Sequence, residues 1–191
     1  MNTQLKNLAK IALISSASVT ASAVTITLSP IVDGFTQDEI PYFDGYCNGI
    51  VTDLGVTVGL NSGIIDMRGT MEFDVHSIKY RFIKSATLTV TPMGRGRLPE
   101  TSVIPIQVYG YQGNGQINTE DFNEGSFVTV FDAGLSIPLY VPIKVNVTKF
   151  VQNNRFNGFV GFSMRTNIHG AQVNFGSLEM IPAPTLTVNY Q

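Results

Sequence analysis

Few side chains in this sequence could act on a substrate. Glu72 and Asp74 stand two residues apart on an alternating stretch, which at ~3.3 Å per residue puts them roughly 7 Å apart on one strand face. That separation could suit a glycosidase pair. Arg68 shares the face and keeps both carboxylates ionised, which favours a solvated charged face. The two histidines, His76 and His169, are distant in sequence, and there is no G-x-S-x-G, no H-E-x-x-H and no Cys with an obvious base. No catalytic residue is assigned, and a non-enzymatic role is expected.

Binding chemistry has more candidates. Asp33, Asp38 and Asp44 lie in an acidic, aromatic stretch that a hard cation such as calcium could order through carboxylate and carbonyl oxygens. Asn114, Asn118, Glu120 and Asp121 are spaced like half of a calcium loop, without its first Asp and its bidentate Glu. Tyr42 and Tyr46, with Phe43 between them, and Tyr109 and Tyr111 near a strand end each offer a ring face, and the tyrosines add a hydroxyl. Loops on a rigid scaffold are where binding residues concentrate, so the four tyrosines are candidates for stacking on polysaccharide rings.

The elements that must position these residues are strands. Met67, Gly69, Met71, Phe73 and Val75 alternate with Arg68, Thr70, Glu72 and Asp74; after a polar connection, Ala86, Leu88 and Val90 alternate with Thr87, Thr89 and Thr91. Two strands with one apolar face each need a second layer. VTITLS (24–29) reads as an opening strand, Ile31 to Asn48 as a long loop with one short strand, and Leu54 to Leu60 as another strand. PMGRGRLPET reads as a loop, Ser102 to Tyr111 as a strand placed at an edge or bulge by Pro105, and Phe127 to Phe131 as a strand after a polar loop. Leu139 to Val147 alternates, and Thr148 is expected to cap a helical turn through Gln152. Phe159 to Thr166 carries bulk on both faces and reads as central; Gln172–Gly176 and Thr185–Tyr190 follow. About ten short strands at this spacing predict an all-β fold: one antiparallel sandwich or jelly roll, with one short helical turn near 148–154.

Residues 1–23 have the make-up of a secretory signal: Lys6 and Lys10, an apolar run from Ile11 to Ala21, and Ala21-Ser22-Ala23 as the cleavage site. The run is too short to cross a bilayer, which takes roughly 20 residues, so no transmembrane anchor is expected. Removing 23 residues leaves 191 − 23 = 168, with 12 − 2 = 10 basic and 14 acidic residues, net −4. Mild acidity argues against nucleic acid as a partner. Residues 24–191 are expected to form one domain, secreted or periplasmic. Cys47, the only cysteine, excludes an intrachain disulfide and reads as inert.

Several segments resemble a known family. Arg68-Gly-Thr-Met-Glu-Phe-Asp74 followed by Ile83-Lys-Ser-Ala-Thr-Leu88 is similar to the R-x-x-L-x-F-D … I-x-S-A-x-L core of DNRLRE-type β-sandwich domains. Val145 to Gln152 is similar to that family's D-V-T-x-x-V-Q segment, Gly158 to Arg165 to its G-L-x-L-x strand, and Phe175 to Tyr190 to its ending. Val108 to Gly115 resembles exported proteins of the PEP-CTERM group. The resemblance implies an extracellular jelly roll, a fold that in some members acts as a carbohydrate-binding module. Two roles follow as expectations. One is a module that binds extracellular polysaccharide; the other is a structural or adhesive surface protein that self-associates through edges at Pro105, Pro142 and the strand freed at Val24.

Overall fold

A computed structural model describes residues 22–39, 45, 47–52, 55–61, 65–96 and 103–191. Among them, thirteen strands form two antiparallel sheets. The smaller sheet orders β1 (Val24–Leu28), β13 (Thr185–Tyr190), β6 (Ile83–Val90) and β10 (Ile143–Asn146). The larger orders β7 (Pro92–Arg95), β12 (Ala171–Phe175), β4 (Val56–Asn61), β5 (Ile65–Asp74), β11 (Phe159–Arg165), β8 (Pro105–Gln112) and β9 (Ser126–Asp132). On the other side of β5 runs β2 (Val32–Glu39), which also pairs with β3 (Gly49–Val51).

The period-two pattern does the sorting. Met71 and Phe73 of β5, Phe162 and Met164 of β11, and Ile106 and Val108 of β8 face Ala86, Leu88, Leu186, Val188 and Val145 of the smaller sheet across one buried core. Phe73 and Phe162 meet edge to face at 6.1 Å. Helix α1 (Thr148–Asn154) closes one margin, its Phe150 ring lying where a side chain at Gly110 would stand. The all-β sandwich with one short helix is therefore the fold, and the bulk on both faces of β11 reflects its place between β5 and β8.

Five local expectations are corrected. Residues 32–39 form an eight-residue strand where a long loop with one short strand was expected; its length was obscured because Asp33, Thr36 and Asp38 are buried beside Phe35. Pro92–Arg95 is strand β7, paired with β12, although its composition reads as loop. Alternation over 139–147 yields strand only at Ile143–Asn146, because Tyr140 takes φ 65°. Thr148 does not cap its helix: its hydroxyl accepts the Ala86 N–H at 2.9 Å, while Asn146 Oδ1 accepts the Thr148 N–H at 3.0 Å. Finally, β8 is interior, but its pairing with β11 ends at Gln107, so Pro105 falls where only the β9 side is paired.

Candidate functional site

The connection from β5 to β6 supplies the most exposed aromatic residues of one sandwich end. After Asp74 the chain makes a single 3-10 turn, His76–Ile78, anchored by the buried Ile78. Asp74 Oδ1 accepts both the backbone N–H of His76 and a contact from its Nδ1, each at 2.8 Å, and these hold the carboxyl below its usual range. The His76 ring packs edge to face on Phe159 at 5.3 Å and over Gly158. Gly158 has φ 90°, and a Cβ there would lie 2.8 Å from the imidazole, so glycine is required at this turn.

The turn delivers Tyr80 and Phe82 to solvent, 84% and 68% exposed. Beyond α1, a second 3-10 turn (Arg155–Asn157) presents Phe156, 48% exposed, with its ring 6.3 Å from that of Tyr80 and tilted by 58°. Cations frame the pair. Arg155 lies 4.3 Å over the Phe156 ring while donating to the Gln152 carbonyl, and Lys79 Nζ is 5.5 Å from the Tyr80 centroid. Arg81 sits 5.6 Å from the ring of Tyr190, on the last strand. Residues 74–84 and 155–156 contain four Lys or Arg and one carboxylate, in a chain whose formal net charge is −2. Such a surface can stack a flat, partly apolar ligand on the rings and pair its anionic groups with guanidinium and ammonium.

The outer face of the larger sheet is built differently. Glu72, expected in solvent, is fully buried beneath the 113–125 loop, and Arg68 pairs with Asp66 at 2.8 Å instead. Glu72 Oε2 accepts the Asn114 and Gly115 N–H groups at 3.0 and 2.6 Å, and a Cβ on Gly113 would sit 2.7 Å from that oxygen. Burial raises its pKa against these bonds. Tyr111 lies in the same row, across Gly161, its buried hydroxyl beside the carboxylate but outside hydrogen-bond geometry. Asp121, also buried, is pushed up to about 6 by burial and by Glu72 and Glu124. A carboxylate so covered cannot meet Asp74 over a substrate: Glu72 holds the loop down.

The candidates expected from sequence are dispersed. Tyr42, Tyr46 and Asp44 lie outside the described residues. Tyr111 is 4% exposed, its ring filling the space over Gly161, and presents no face to a ligand. Tyr109 is half-buried, edge to face with Phe127 at 6.0 Å and covered by Arg165 at 4.2 Å. Asp33 and Asp38 are five residues apart on β2 and so point to opposite faces. Asp33 Oδ2 accepts the Leu178 N–H at 2.9 Å, and Asp38 Oδ2 the Gly45 N–H at 2.7 Å. In the 114–121 loop, Asn114 and Asn118 each accept the N–H two residues on, at 2.9 and 3.0 Å. Among the described residues, no three His, Cys, Asp or Glu side chains converge as metal ligands would. The half-buried Cys47 thiol donates to the Gly49 carbonyl at 3.1 Å.

Tyr80, Phe82 and Phe156 were missed because their segments read as a polar connection and a helix end. The available signal was the Lys79-Tyr80-Arg81-Phe82 alternation of cation and aromatic. No protein-family model matches the chain, and no curated protein does.

Proposed function

We propose that this chain is a non-catalytic, exported module that binds extracellular polysaccharide carrying acidic groups. One observation carries the reading: the exposed Tyr80–Phe156 pair with Lys79 and Arg155 at its rings, and Arg81 close by in the chain over Tyr190. The rings offer apolar faces to sugar C–H groups, and the guanidinium groups offer paired donors to carboxylate or sulfate. The resemblance to DNRLRE-type domains points the same way. The loop aromatics proposed to bind are Tyr80, Phe82 and Phe156; of the tyrosines expected from the sequence, Tyr111 is buried and Tyr109 half-buried under Arg165, and Tyr42 and Tyr46 lie outside the described residues.

Affinity electrophoresis tests the reading. Migration through gels containing polygalacturonate should be retarded, with less retardation in a neutral glucan and none for Tyr80→Ala. Equal migration in every acidic and neutral glycan gel would refute it.

A further inference from the structure

The larger sheet ends at β9, which has a bulge at Val128 and closes on Asp132 but presents an uncharged, apolar stretch between its ends. Residues 126–131 read Ser-Phe-Val-Thr-Val-Phe, rich in β-branched and aromatic residues with no charge, Pro or Gly. The other edges differ. Strand β7 carries Pro92 and Arg95, β10 carries Lys144, and β3 spans three residues. Uncharged β1 exposes Val24, Thr25 and Thr27, whereas β9 exposes Phe127 and Val130, at 57% and 51%. Among the described residues β9 pairs with β8 alone.

The register explains how two residues three apart share a face. Phe127 and Val130 lie opposite Tyr109 and Gln107, on the outer side, while Thr129 and Phe131 lie opposite the core residues Val108 and Ile106. The irregularity at Val108/Tyr109 leaves Val128 as the extra residue on β9. Helix α1 does not seal the edge: a cleft of about 250 Å³ separates Ser126, Phe127 and Val128 from Lys149, Phe150 and Asn153.

We propose that β9 pairs antiparallel with β9 of a second copy of this chain, about a two-fold axis between Val128 and Thr129. In that register Phe127 of each copy lies opposite Val130 of the other, so the two exposed apolar side chains cover one another. Charge does not oppose this occupant at the centre of the pair. Residues 126–131 carry no charge, and in this register Asp132 of each copy lies opposite Gly125 of the other, at the ends of the pair and away from its centre. One strand pair with two apolar contacts buries less than the ~800 Å² per partner of a stable interface, so the dimer is weak and concentration-dependent. The interface is independent of the Tyr80–Phe156 surface and places self-association at β9, not at Pro105, Pro142 or Val24.

Sedimentation velocity on the whole protein tests this. The weight-average mass should rise from 20.8 kDa towards twice that value as concentration increases from ~10 μM to ~1 mM, a range set by a weak interface. Val130→Lys should remain monomeric throughout, with unchanged circular dichroism and melting temperature. In a Cys47→Ser background, mixing Phe127→Cys with Val130→Cys should give several-fold more disulfide dimer than either variant alone. A monomer at every concentration would overturn the proposal. So would a dimer that Val130→Lys leaves intact, or a mixture that cross-links no better than its components.

Discussion

Tyr111 lies directly over Gly161: a Cβ at position 161 would fall 2.2 Å from the Tyr111 phenol ring. Gly161 pairs with Tyr111 on one side and Glu72 on the other, so the absent side chain lets the ring reach across β11. Gly161→Ala must displace the ring, and overpacking of this kind costs about 1–3 kcal/mol. The urea midpoint of Gly161→Ala should fall accordingly. Tyr111→Ala should largely absorb that cost, so that the double variant is little worse than Tyr111→Ala alone.

Buried acids set the pH dependence of stability. Asp33 is pushed up to about 6 by burial, which outweighs its bond from the Leu178 N–H, and Asp121 is pushed up to about 6 as well. An unfolded Asp titrates near ~3.9. Between these values the folded state binds more protons than the unfolded state, so stability falls as pH rises through the window. The lowered pKa values of Asp74 and Asp132 act in the opposite sense and withdraw stability only in stronger acid. The urea midpoint should therefore rise from pH 7 towards pH ~5 and decline below pH ~4. Asp33→Asn, which retains an acceptor for Leu178, should flatten the first limb.

Asn146 Oδ1 holds the first turn of α1 through the Thr148 N–H. Asn146 is solvent-exposed, so Asn146→Ala removes that bond without opening a cavity. Loss of such a side-chain-to-backbone hydrogen bond costs about 1 kcal/mol, to be read from the denaturation midpoint. Asn146→Asp should restore most of it.

Strands with one wetter face were legible in the sequence, as β6 and β8 illustrate, because period two survives when only one side is buried. Strand β2 was not, since burial on both faces with Asp33 and Asp38 inside removes the contrast that periodicity needs. The fate of Glu72 was equally hidden. Its cover comes from Asn114 and Gly115, more than forty residues away, and local pattern says nothing of that contact. Phe156 and Tyr80 lie far apart in the chain, and only the packing of two single-turn helices brings their rings together.

Cation framing makes a distinct claim about salt. If Arg81, Lys79 and Arg155 pair with acidic groups at a solvent-exposed surface, binding to polygalacturonate should weaken several-fold between ~0.05 and ~0.5 M NaCl, as screening shortens from roughly 14 to 4 Å. Titration calorimetry across that range measures it. Arg155→Lys keeps the charge but loses the planar guanidinium over Phe156, and should bind more weakly than wild type at every salt concentration.

The most direct measurement compares the polygalacturonate affinity of wild type with those of Tyr80→Ala and Phe156→Ala, alongside Tyr109→Ala as a control on the outer sheet face. The aromatic-pair account predicts at least a tenfold loss for the first two, equivalent to about 1.4 kcal/mol, and no more than a twofold change for the control. The first two should also keep the wild-type circular dichroism. Undiminished affinity in both Tyr80→Ala and Phe156→Ala, with the protein folded, would contradict it.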